Sequence, residues 1–319
     1  MDAGRLSPRL IEEDLKLRND VAAAEIILAL NDAGIESILL KGPSIAQWLY
    51  DKGESRPYGD VDLLVAPRGF AGAEGVAKRL GFRHFKVGDQ LDEASGHRTW
   101  FREADGVCLE LHHGFVGIPA THQEFWNEMT QDTETLPIGV RDVRAQIPSV
   151  PARALLVAVH AASHGPVGTP LGDLRRALER LPHNVWVEAV AFAERLRAEP
   201  AFAVGLSLVP EGVELVRRLG LDPAVPTNIL VNASAPLSTT KGWEWFAAAP
   251  GVRGKLRFAY TKVAPPRDLM RAIDPIGRRG GIWLLIAYLV RPIRLAKQAP
   301  RGYRAWRELR RAGFRSEGK

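Results

Sequence analysis

Residues 60–65, which read Asp-Val-Asp-Leu-Leu-Val, constrain the fold of this chain more than any other segment. Alternate side chains of a β-strand point to the same side, so Asp60 and Asp62 lie together while the apolar residues alternating with them anchor the strand in a core. Two carboxylates side by side repel each other unless a cation neutralises them. Hard divalent ions such as Mg²⁺ take oxygen ligands, and an Asp-x-Asp pair at the end of a strand holds them in many phosphoryl-transfer sites. The segment therefore predicts a strand with a metal site and points to nucleotide chemistry.

A third carboxylate is expected from a neighbouring strand, because two aspartates neutralise two Mg²⁺ ions poorly. Glu110 is the best candidate. It lies in an alternating segment, residues 107–113, which follows the turn signal Asp105-Gly106 and a strand-like run over residues 97–102. The sequence thus predicts a hairpin that carries Glu110 to the same site.

We predict three residues as both metal ligands and catalytic groups: Asp60, Asp62 and Glu110. Catalysis by two metal ions needs carboxylates that place the ions, a substrate hydroxyl in line with the α-phosphorus and a leaving pyrophosphate. Glu110 is the candidate to accept the proton of that hydroxyl. On the strand alternation His112 shares the face of Glu110 and is predicted to support the ligands, whereas His113 faces away and is predicted to be structural.

Five segments carry a family resemblance. In chain order they are Leu39–Gly42, Arg56–Val65, Glu110–His112, His160–His164 with Asp173 downstream, and Tyr288–Leu295. Together they resemble the bacterial uncharacterised nucleotidyltransferase family, a part of the DNA polymerase β-like nucleotidyltransferase superfamily. The resemblance runs from about Asp20 to Leu295. It implies an enzyme that uses Mg²⁺ or Mn²⁺ to move a nucleoside monophosphate from an NTP to an acceptor hydroxyl, with release of pyrophosphate.

The resemblance also implies a triphosphate site at Gly42–Ser44, where the superfamily usually has a Gly-Ser or Gly-Gly pair at the start of a short helix. Here the match is Gly-Pro-Ser, and the gap to Asp60 is longer than usual. Pro43 suits the first helical position, where its missing N–H would be unpaired anyway, but it removes one donor. Lys41 is predicted to contact the triphosphate. Arg56 either binds phosphate by two parallel hydrogen bonds or pins its loop to the aspartate pair.

Hydrophobic periodicity and turn signals predict an α/β (α+β) fold with a mixed sheet, followed by a mainly helical region. The 319 residues, of which 46% are hydrophobic and 25% charged, provide core for about two domains. We expect a catalytic nucleotidyltransferase domain over residues 1–148, which begins with a helix over residues 11–33 and closes with a strand near residues 140–147. Residues 149–319 are expected to form a helical domain that shapes the acceptor site.

The excess of basic residues is a property of the C-terminus. Residues 291–319 carry a net charge of +8, against +6 for the whole chain. The apolar run just before them, residues 282–290, is far shorter than the ~20 residues of a membrane-spanning helix. We favour a buried C-terminal helix with a solvated basic end, and the alternative is a weak contact with an anionic membrane or a nucleic acid.

Several other classes of site are excluded or disfavoured. The chain has no P-loop, no Gly-x-Gly-x-x-Gly after a strand and no Gly-x-Ser-x-Gly, which excludes P-loop ATPases, Rossmann dehydrogenases and α/β-hydrolases. His160 and His164 have helical spacing, but nothing nearby completes a zinc site, so packing or a pocket role with Asp173 as a partner is expected. The single Cys108 excludes an internal disulfide, and the N-terminus has no apolar leader, so we expect a cytoplasmic protein.

The sequence leaves the acceptor, the choice of NTP and the oligomeric state open. The acceptor is a small molecule such as a sugar or an antibiotic, a protein side chain, or tRNA. Two alternatives stand beside this reading: a toxin-like transferase acting on tRNA or protein, and a non-catalytic nucleotide-binding module on the same fold. The presence of both Asp60 and Asp62 counts against the module, because two adjacent carboxylates are costly without an ion.

Overall fold

A computed structural model describes the chain except for residues 1–6, 85–95, 140–142, 222–241, 244, 248, 250, 266, 268–269, 272–273, 275 and 317–319. The chain divides into two compact units. Unit 1 comprises residues 1–161 and 167–222, and unit 2 comprises residues 162–166 and 223–319. The predicted combination of a mixed α/β sheet and a helical C-terminal region is confirmed.

The first part of unit 1 alternates helices and strands. In chain order these are α1 (Pro8–Asp32), β1 (Ser37–Leu39), α2 (Pro43–Leu49), β2 (Asp60–Val65), α3 (Phe70–Arg79), β3 (Arg83–His84), β4 (His97–Arg102), β5 (Val107–His112), α4 (His122–Thr130), β6 (Thr133–Ile138) and β7 (Val143–Pro148). A short 3₁₀ turn, Pro67–Gly69, joins β2 to α3. The first helix ends one residue before the predicted end, and Gly34 follows with a φ of 67°. The left-handed backbone at Gly34 is one that glycine adopts readily, which explains the stop.

Five strands form one mixed sheet in the order β1-β2-β5-β4-β3. Only β2 and β5 run parallel, and the other three pairs are antiparallel. The two remaining strands, β6 and β7, pair antiparallel in a separate two-stranded sheet. The strand predicted near residues 140–147 is therefore β7, although residues 140–142 lie outside the described part of the chain.

The core lies on one face of the five-stranded sheet, beneath α1 and α3. Strands β2 and β5 contribute alternate apolar residues to it: Val61, Leu63, Val65, Val107, Leu109 and Leu111. Because successive side chains of a strand alternate between faces, the residues between these point to the other face. Burial of the apolar set thus fixes which face of the sheet carries Asp60, Asp62 and Glu110.

Helices complete unit 1 beyond the predicted domain boundary at residue 148. They are α5 (Val150–His164, whose last three residues are assigned to unit 2), α6 (Gly168–Arg180), α7 (His183–Arg195), α8 (Glu199–Leu206) and α9 (Pro210–Arg218). Three ion pairs tie the loop after α2 to α6: Asp51–Arg180, Glu54–Arg176 and Arg56–Asp173. Helix α8 packs so closely on α5 that any side chain at Gly205 would overlap the carbonyl of Ala158. These contacts explain why unit 1 extends to Asp222.

The described parts of unit 2 are mainly helical. They include α10 (Gly251–Val263), a 3₁₀ turn (Gly277–Arg279) and the long α11 (Gly281–Ser316). No helix in the described parts of the chain is long and apolar enough to cross a membrane. The interpretation of residues 282–290 as a buried helix is wrong in part: Ala287 is buried, but Ile282, Leu285 and Leu289 are exposed.

Candidate active site

Three carboxylates meet on the face of the sheet opposite the core. Asp60 lies opposite Cys108 in the β2–β5 register, and Asp62 lies opposite Glu110. One oxygen from each of Asp60, Asp62 and Glu110 lies within 4.8 Å of the others. The structure therefore brings together the three residues that the sequence predicted as a group.

Asp62 is the most deeply buried of these groups, with 1% of its residue surface exposed. Its Oδ1 atom lies 2.6 Å from Lys41 Nζ and 3.0 Å from His112 Nε2. Its Oδ2 atom is buried and has no hydrogen-bond partner in the described structure. A buried carboxylate oxygen without a partner is costly, and a metal ion would satisfy it. The three-carboxylate donor set suits a hard divalent ion such as Mg²⁺ or Mn²⁺.

The charges of the cluster shift its own pKa values. The charge of Asp62, together with burial, raises the pKa of Asp60 to about 7. Burial would lower the pKa of Lys41, but the charges of Asp62, Glu110 and Asp60 outweigh it and raise that pKa above its ordinary value. Lys41 thus stays cationic at neutral pH and partly neutralises a site in which three carboxylates would otherwise repel one another.

Two histidines border Glu110. His112 Nε2 lies 3.4 Å from Glu110 Oε2, and His112 Nδ1 lies 3.2 Å from the carbonyl oxygen of Gly114. Burial opposes the charging of His112, but hydrogen bonds to Asp62 and Glu110 raise its pKa to about 9. At neutral pH both ring nitrogens therefore donate. The prediction that His112 faces the carboxylates is confirmed.

His97 is a neighbour of the site that the sequence analysis did not single out. It pairs with His112 across β4 and β5, and its Nε2 atom lies 3.3 Å from Glu110 Oε1. His97, Glu110 and His112 also bring one ligand atom each within 4.8 Å of one another. Its position in the sequence was the one indication of this role, because His97 begins the strand that is predicted to pair with the Glu110 strand.

His113 lies on the opposite face, as predicted. Its ring packs edge-on against Phe70 at 5.7 Å and contacts His122 at 6.1 Å. His160 packs its ring edge-on at 6.3 Å from Phe115. Aromatic packing is thus an observed role for both His113 and His160.

The turn at Gly42 places Lys41 beside Asp62. The backbone N–H of Leu40 donates to the carbonyl of Asp62, which fixes the chain just before the turn. Gly42 has a φ of 65°, and a Cβ there would lie 3.5 Å from the ring of Tyr58. Helix α2 then begins at Pro43, as predicted. The turn therefore favours glycine for its backbone angle, whereas the distance to Tyr58 is an ordinary van der Waals contact that would leave room for a Cβ.

Ser44 and Lys41 were both predicted to contact a triphosphate. The Ser44 hydroxyl is buried and donates to the backbone carbonyls of Leu40 at 3.0 Å and Lys41 at 3.3 Å. Lys41 Nζ binds Asp62 and lies 5.6 Å from the centre of the Phe115 ring. Both side chains thus have protein partners, and contact with a nucleotide stays a prediction for each.

Arg56 forms a buried ion pair with Asp173 on α6. Its Nε and Nη2 atoms donate to Asp173 at 2.8 and 2.7 Å, and the hydroxyl of Tyr50 donates to the same carboxylate at 2.8 Å. Asp173, considered above as a partner for His160 and His164, is thus a partner of Arg56. Of the two roles left open for Arg56, these hydrogen bonds support pinning of its loop, but to α6 and not to the aspartate pair.

The other side of the same loop is held by α1. Tyr58 donates its hydroxyl to Asp20 at 2.6 Å, and Asn19 donates to the carbonyl of Tyr58 at 3.1 Å. Asn19 is itself buried. The segment that leads into Asp60 is therefore anchored on both sides by buried polar contacts.

Comparison with protein families identifies the chain. The model of an uncharacterised nucleotidyltransferase family matches residues 12–212, which is more than half of the 319 residues. The chain belongs to this nucleotidyltransferase family. The match contains Lys41, the three carboxylates and the Arg56–Asp173 pair, so the whole candidate site lies inside the family region. The resemblance found from sequence motifs is confirmed for the segments from Leu39 to Asp173, as is the classification as a nucleotidyltransferase, whereas the segment Tyr288–Leu295 lies beyond the matched residues.

Solved structures similar to this nucleotidyltransferase are distant. ANT(2'')-Ia in complex with adenylyl-2''-tobramycin is 17% identical, with 53% of this chain and 94% of that chain covered and a TM-score of 0.39. An antigenic nucleotidyltransferase-like protein from Paracoccidioides brasiliensis is 14% identical, with 58% and 93% covered and a TM-score of 0.34. A tRNA-processing enzyme is 13% identical, with 92% and 80% covered and a TM-score of 0.27. Among curated proteins there is no match.

Proposed function

We propose that this nucleotidyltransferase moves a nucleoside monophosphate from an NTP to an acceptor hydroxyl and releases pyrophosphate, with Mg²⁺ or Mn²⁺ as the cofactor. The observation that carries the proposal is the approach of Asp60, Asp62 and Glu110 to within 4.8 Å on one face of the sheet. These three residues would hold the divalent ions. When bound, such ions polarise the phosphoryl oxygens and neutralise the charge that develops on the pyrophosphate.

Glu110 is proposed as the group that accepts the acceptor's proton. Its side chain keeps 17% of its surface exposed, whereas the side chain of Asp62 keeps 1%. A substrate hydroxyl therefore has access to Glu110. As the hydroxyl oxygen forms its bond to the α-phosphorus, its proton passes to the Glu110 carboxylate, and the bond to the pyrophosphate oxygen breaks. His97 and His112, which contact the two oxygens of Glu110, would hold the carboxylate in place.

Lys41 and the turn at Gly42 are proposed to meet the triphosphate. Lys41 supplies a fixed positive charge 2.6 Å from Asp62, at the edge of the carboxylate cluster. A bound triphosphate would compete with Asp62 for that ammonium group, and a bound divalent ion would compete with the ammonium group for Asp62. In this proposal Arg56 acts through its ion pair with Asp173, as a positioning residue for the loop that leads into Asp60.

Labelling with radioactive NTPs tests the proposal. The protein is incubated with each α-³²P-labelled NTP, with Mg²⁺ or Mn²⁺, and with a cell extract as the source of acceptors. Nuclease, protease and size fractionation then assign the labelled product to nucleic acid, protein or small molecule. We expect a product with at least one NTP, and no product from the Asp60→Asn or Asp62→Asn variant.

Two results would contradict the proposal. Binding of an NTP without transfer to any acceptor, in purified mixtures as well as extracts, would favour the non-catalytic nucleotide-binding module. Labelling that persists in the Asp62→Asn variant would place the chemistry elsewhere. Labelled tRNA or protein would support the proposal and would identify the toxin-like alternative as its acceptor class. This experiment does not test the predicted cytoplasmic location, which stays a prediction.

A further inference from the structure

Helix α11 exposes a stripe of large aliphatic side chains to solvent. The stripe consists of Ile282, Leu285, Leu289 and Ile293, and each of these residues is 57–69% exposed. Their spacing of three, four and four residues places them on one face of the helix. A contiguous apolar stripe on a surface is unusual and marks a contact with a partner or a membrane.

Basic side chains follow the stripe along the same helix. Lys297, Arg301 and Arg304 are exposed, and at 100° per residue they lie on the side next to the apolar face. Residues 281–316 contain nine Lys or Arg residues and one acidic residue, a net charge of +8. Trp283, which is 43% exposed, lies next to the first residue of the stripe. Such aromatic side chains are favoured at the boundary between lipid and water.

Helix α10 repeats the pattern. Val252, Leu256 and Tyr260, at intervals of four residues, are 65–75% exposed. The helix joins α11 through Arg291, whose Nε atom donates to the carbonyl of Lys262 at 2.7 Å. Residues 251–319 as a whole carry a net charge of +14, so the rest of the chain has a net charge of −8. The apolar stripes and the net positive charge of the chain therefore belong to the same part of the sequence.

We propose that α11, with its apolar stripe inserted and its basic side chains at the headgroups, binds the surface of an anionic lipid bilayer. An amphipathic helix of this kind lies in the interface plane, and its binding adds apolar burial to attraction for anionic lipids. The apolar part, residues 282–293, is too short to span the hydrocarbon core, which needs about 20 residues. This inference does not depend on the reaction proposed for unit 1.

Two other occupants of the stripe fit the observations less well. A second copy of the chain would bring two helices of charge +8 together, and like charges disfavour such a pairing. A nucleic acid would meet the positive charge, but Ile and Leu side chains neither stack on bases as aromatic residues do nor bind phosphate. Of these three occupants, an anionic lipid surface is the one that uses both the aliphatic stripe and the charge.

Sedimentation of the full chain with vesicles tests the proposal. Vesicles of phosphatidylcholine alone are compared with vesicles that also contain phosphatidylglycerol, over a series of salt concentrations. We expect binding to the anionic vesicles, weaker binding to the neutral ones, and weaker binding as salt screens the charge. Three variants separate the contributions: Leu285→Glu with Leu289→Glu, Lys297→Gln with Arg301→Gln and Arg304→Gln, and a control, Val187→Glu, at an exposed apolar position on α7.

The leucine pair should weaken vesicle binding at least tenfold, and the three charge removals should weaken it about a hundredfold, at about 1 kcal/mol for each basic side chain. The control should bind like the parent, and thermal unfolding should show that all three variants fold. The proposal is overturned if the leucine pair binds vesicles normally. It is also overturned if light scattering shows a dimer that the leucine pair dissociates, or if the charge variant loses RNA binding while the parent binds no vesicles.

Discussion

Asp62 and Glu110 lie directly opposite each other in the parallel pairing of β2 with β5. In this register the two side chains leave the same face of the sheet from neighbouring strands, so the backbone pairing itself sets how closely the carboxylates approach. His97 and His112 continue the pairing on β4 and β5. The carboxylates and the two histidines are therefore carried by strands and not by loops, which favours a rigid ligand geometry.

Asp60→Asn and Asp62→Asn should each abolish nucleotidyl transfer while the protein stays folded. Each substitution keeps the shape of the side chain but replaces a charged metal ligand by a neutral amide. The measurement is transfer of label from an α-³²P-labelled NTP at saturating Mg²⁺, with circular dichroism as the control for folding. Full activity of either variant would remove the carboxylate cluster from the mechanism.

The stability gained by the Asp60→Asn substitution should increase with pH when no metal is present. The neighbouring charge of Asp62 raises the pKa of Asp60 to about 7, against an ordinary value of 3.8. Between these two values the folded state holds a proton that the unfolded state releases, so the stability of the parent falls as pH rises. The variant escapes this loss.

We therefore expect the difference in melting temperature between Asp60→Asn and the parent to be small near pH 4. The melting temperature of the variant should exceed that of the parent by an amount that increases up to about pH 7 and stays constant above that pH. Thermal unfolding in a chelator at several pH values measures it. Added Mg²⁺ should reverse the order above pH 7, because only the parent keeps the full ligand set. A difference in melting temperature that does not vary with pH would contradict the repulsion between Asp60 and Asp62 that raises the pKa of Asp60.

The polar face of the sheet could be predicted because it follows from strand periodicity. Asp60 and Asp62 alternate with Val61 and Leu63, and burial of the apolar set decides the side of the carboxylates. Glu110 followed from the same alternation after the turn at Asp105-Gly106. The pattern fixes a face for each strand, so two adjacent strands with known faces suffice to place the cluster.

Contacts between distant segments could not be predicted, because periodicity says nothing about which segments meet. Arg56 and Asp173 are 117 positions apart, and no local pattern links the loop before β2 to α6. The exposure of Leu285 and Leu289 was missed for the same reason. An apolar run predicts a helix with an apolar face, but whether that face is covered depends on the packing of other elements.

Glu110→Gln should lower the rate of nucleotidyl transfer about 10²–10⁴-fold, the range for loss of a general base. Its effect on the affinity for the metal should be smaller than its effect on the rate. His112→Ala should lower activity or metal affinity about 10–100-fold, because His112 orients Asp62 and Glu110 without being a proposed ligand. His113→Ala, on the opposite face, serves as the matched control and should change neither. Isothermal titration with Mn²⁺ and the labelling assay measure the two effects separately. An essential His112 beside a dispensable Glu110 would show that the roles are reversed.

Asp173→Asn should destabilise unit 1 by about 3–5 kcal/mol, the usual cost of leaving one partner of a buried ion pair alone. Arg56 would then keep its buried charge without the carboxylate that binds it at two points. Arg180→Gln, which breaks the more exposed pair with Asp51 on the same loop, is the control and should have little effect. Urea unfolding at neutral pH makes the comparison, and equal effects of the two substitutions would contradict a positioning role for Arg56.

Two truncations of α11, on either side of Trp306, should separate the contribution of its aromatic packing from that of its basic C-terminal end. Trp306 is buried and its ring contacts Tyr303 at 5.6 Å, while Trp243 contacts Tyr303 at 5.2 Å and donates to the carbonyl of Ala299 at 3.0 Å. A chain that ends at Leu295 loses most of this aromatic cluster, so we expect unit 2 to melt at a lower temperature.

A chain that ends at Trp306 keeps the cluster and lacks only Arg307–Lys319, with five basic and two acidic residues. Its melting temperature and its NTP binding should match those of the full chain, whereas its vesicle binding should weaken at low salt. Loss of stability in the chain that ends at Trp306 as well would show that residues beyond Trp306 take part in the packing of unit 2.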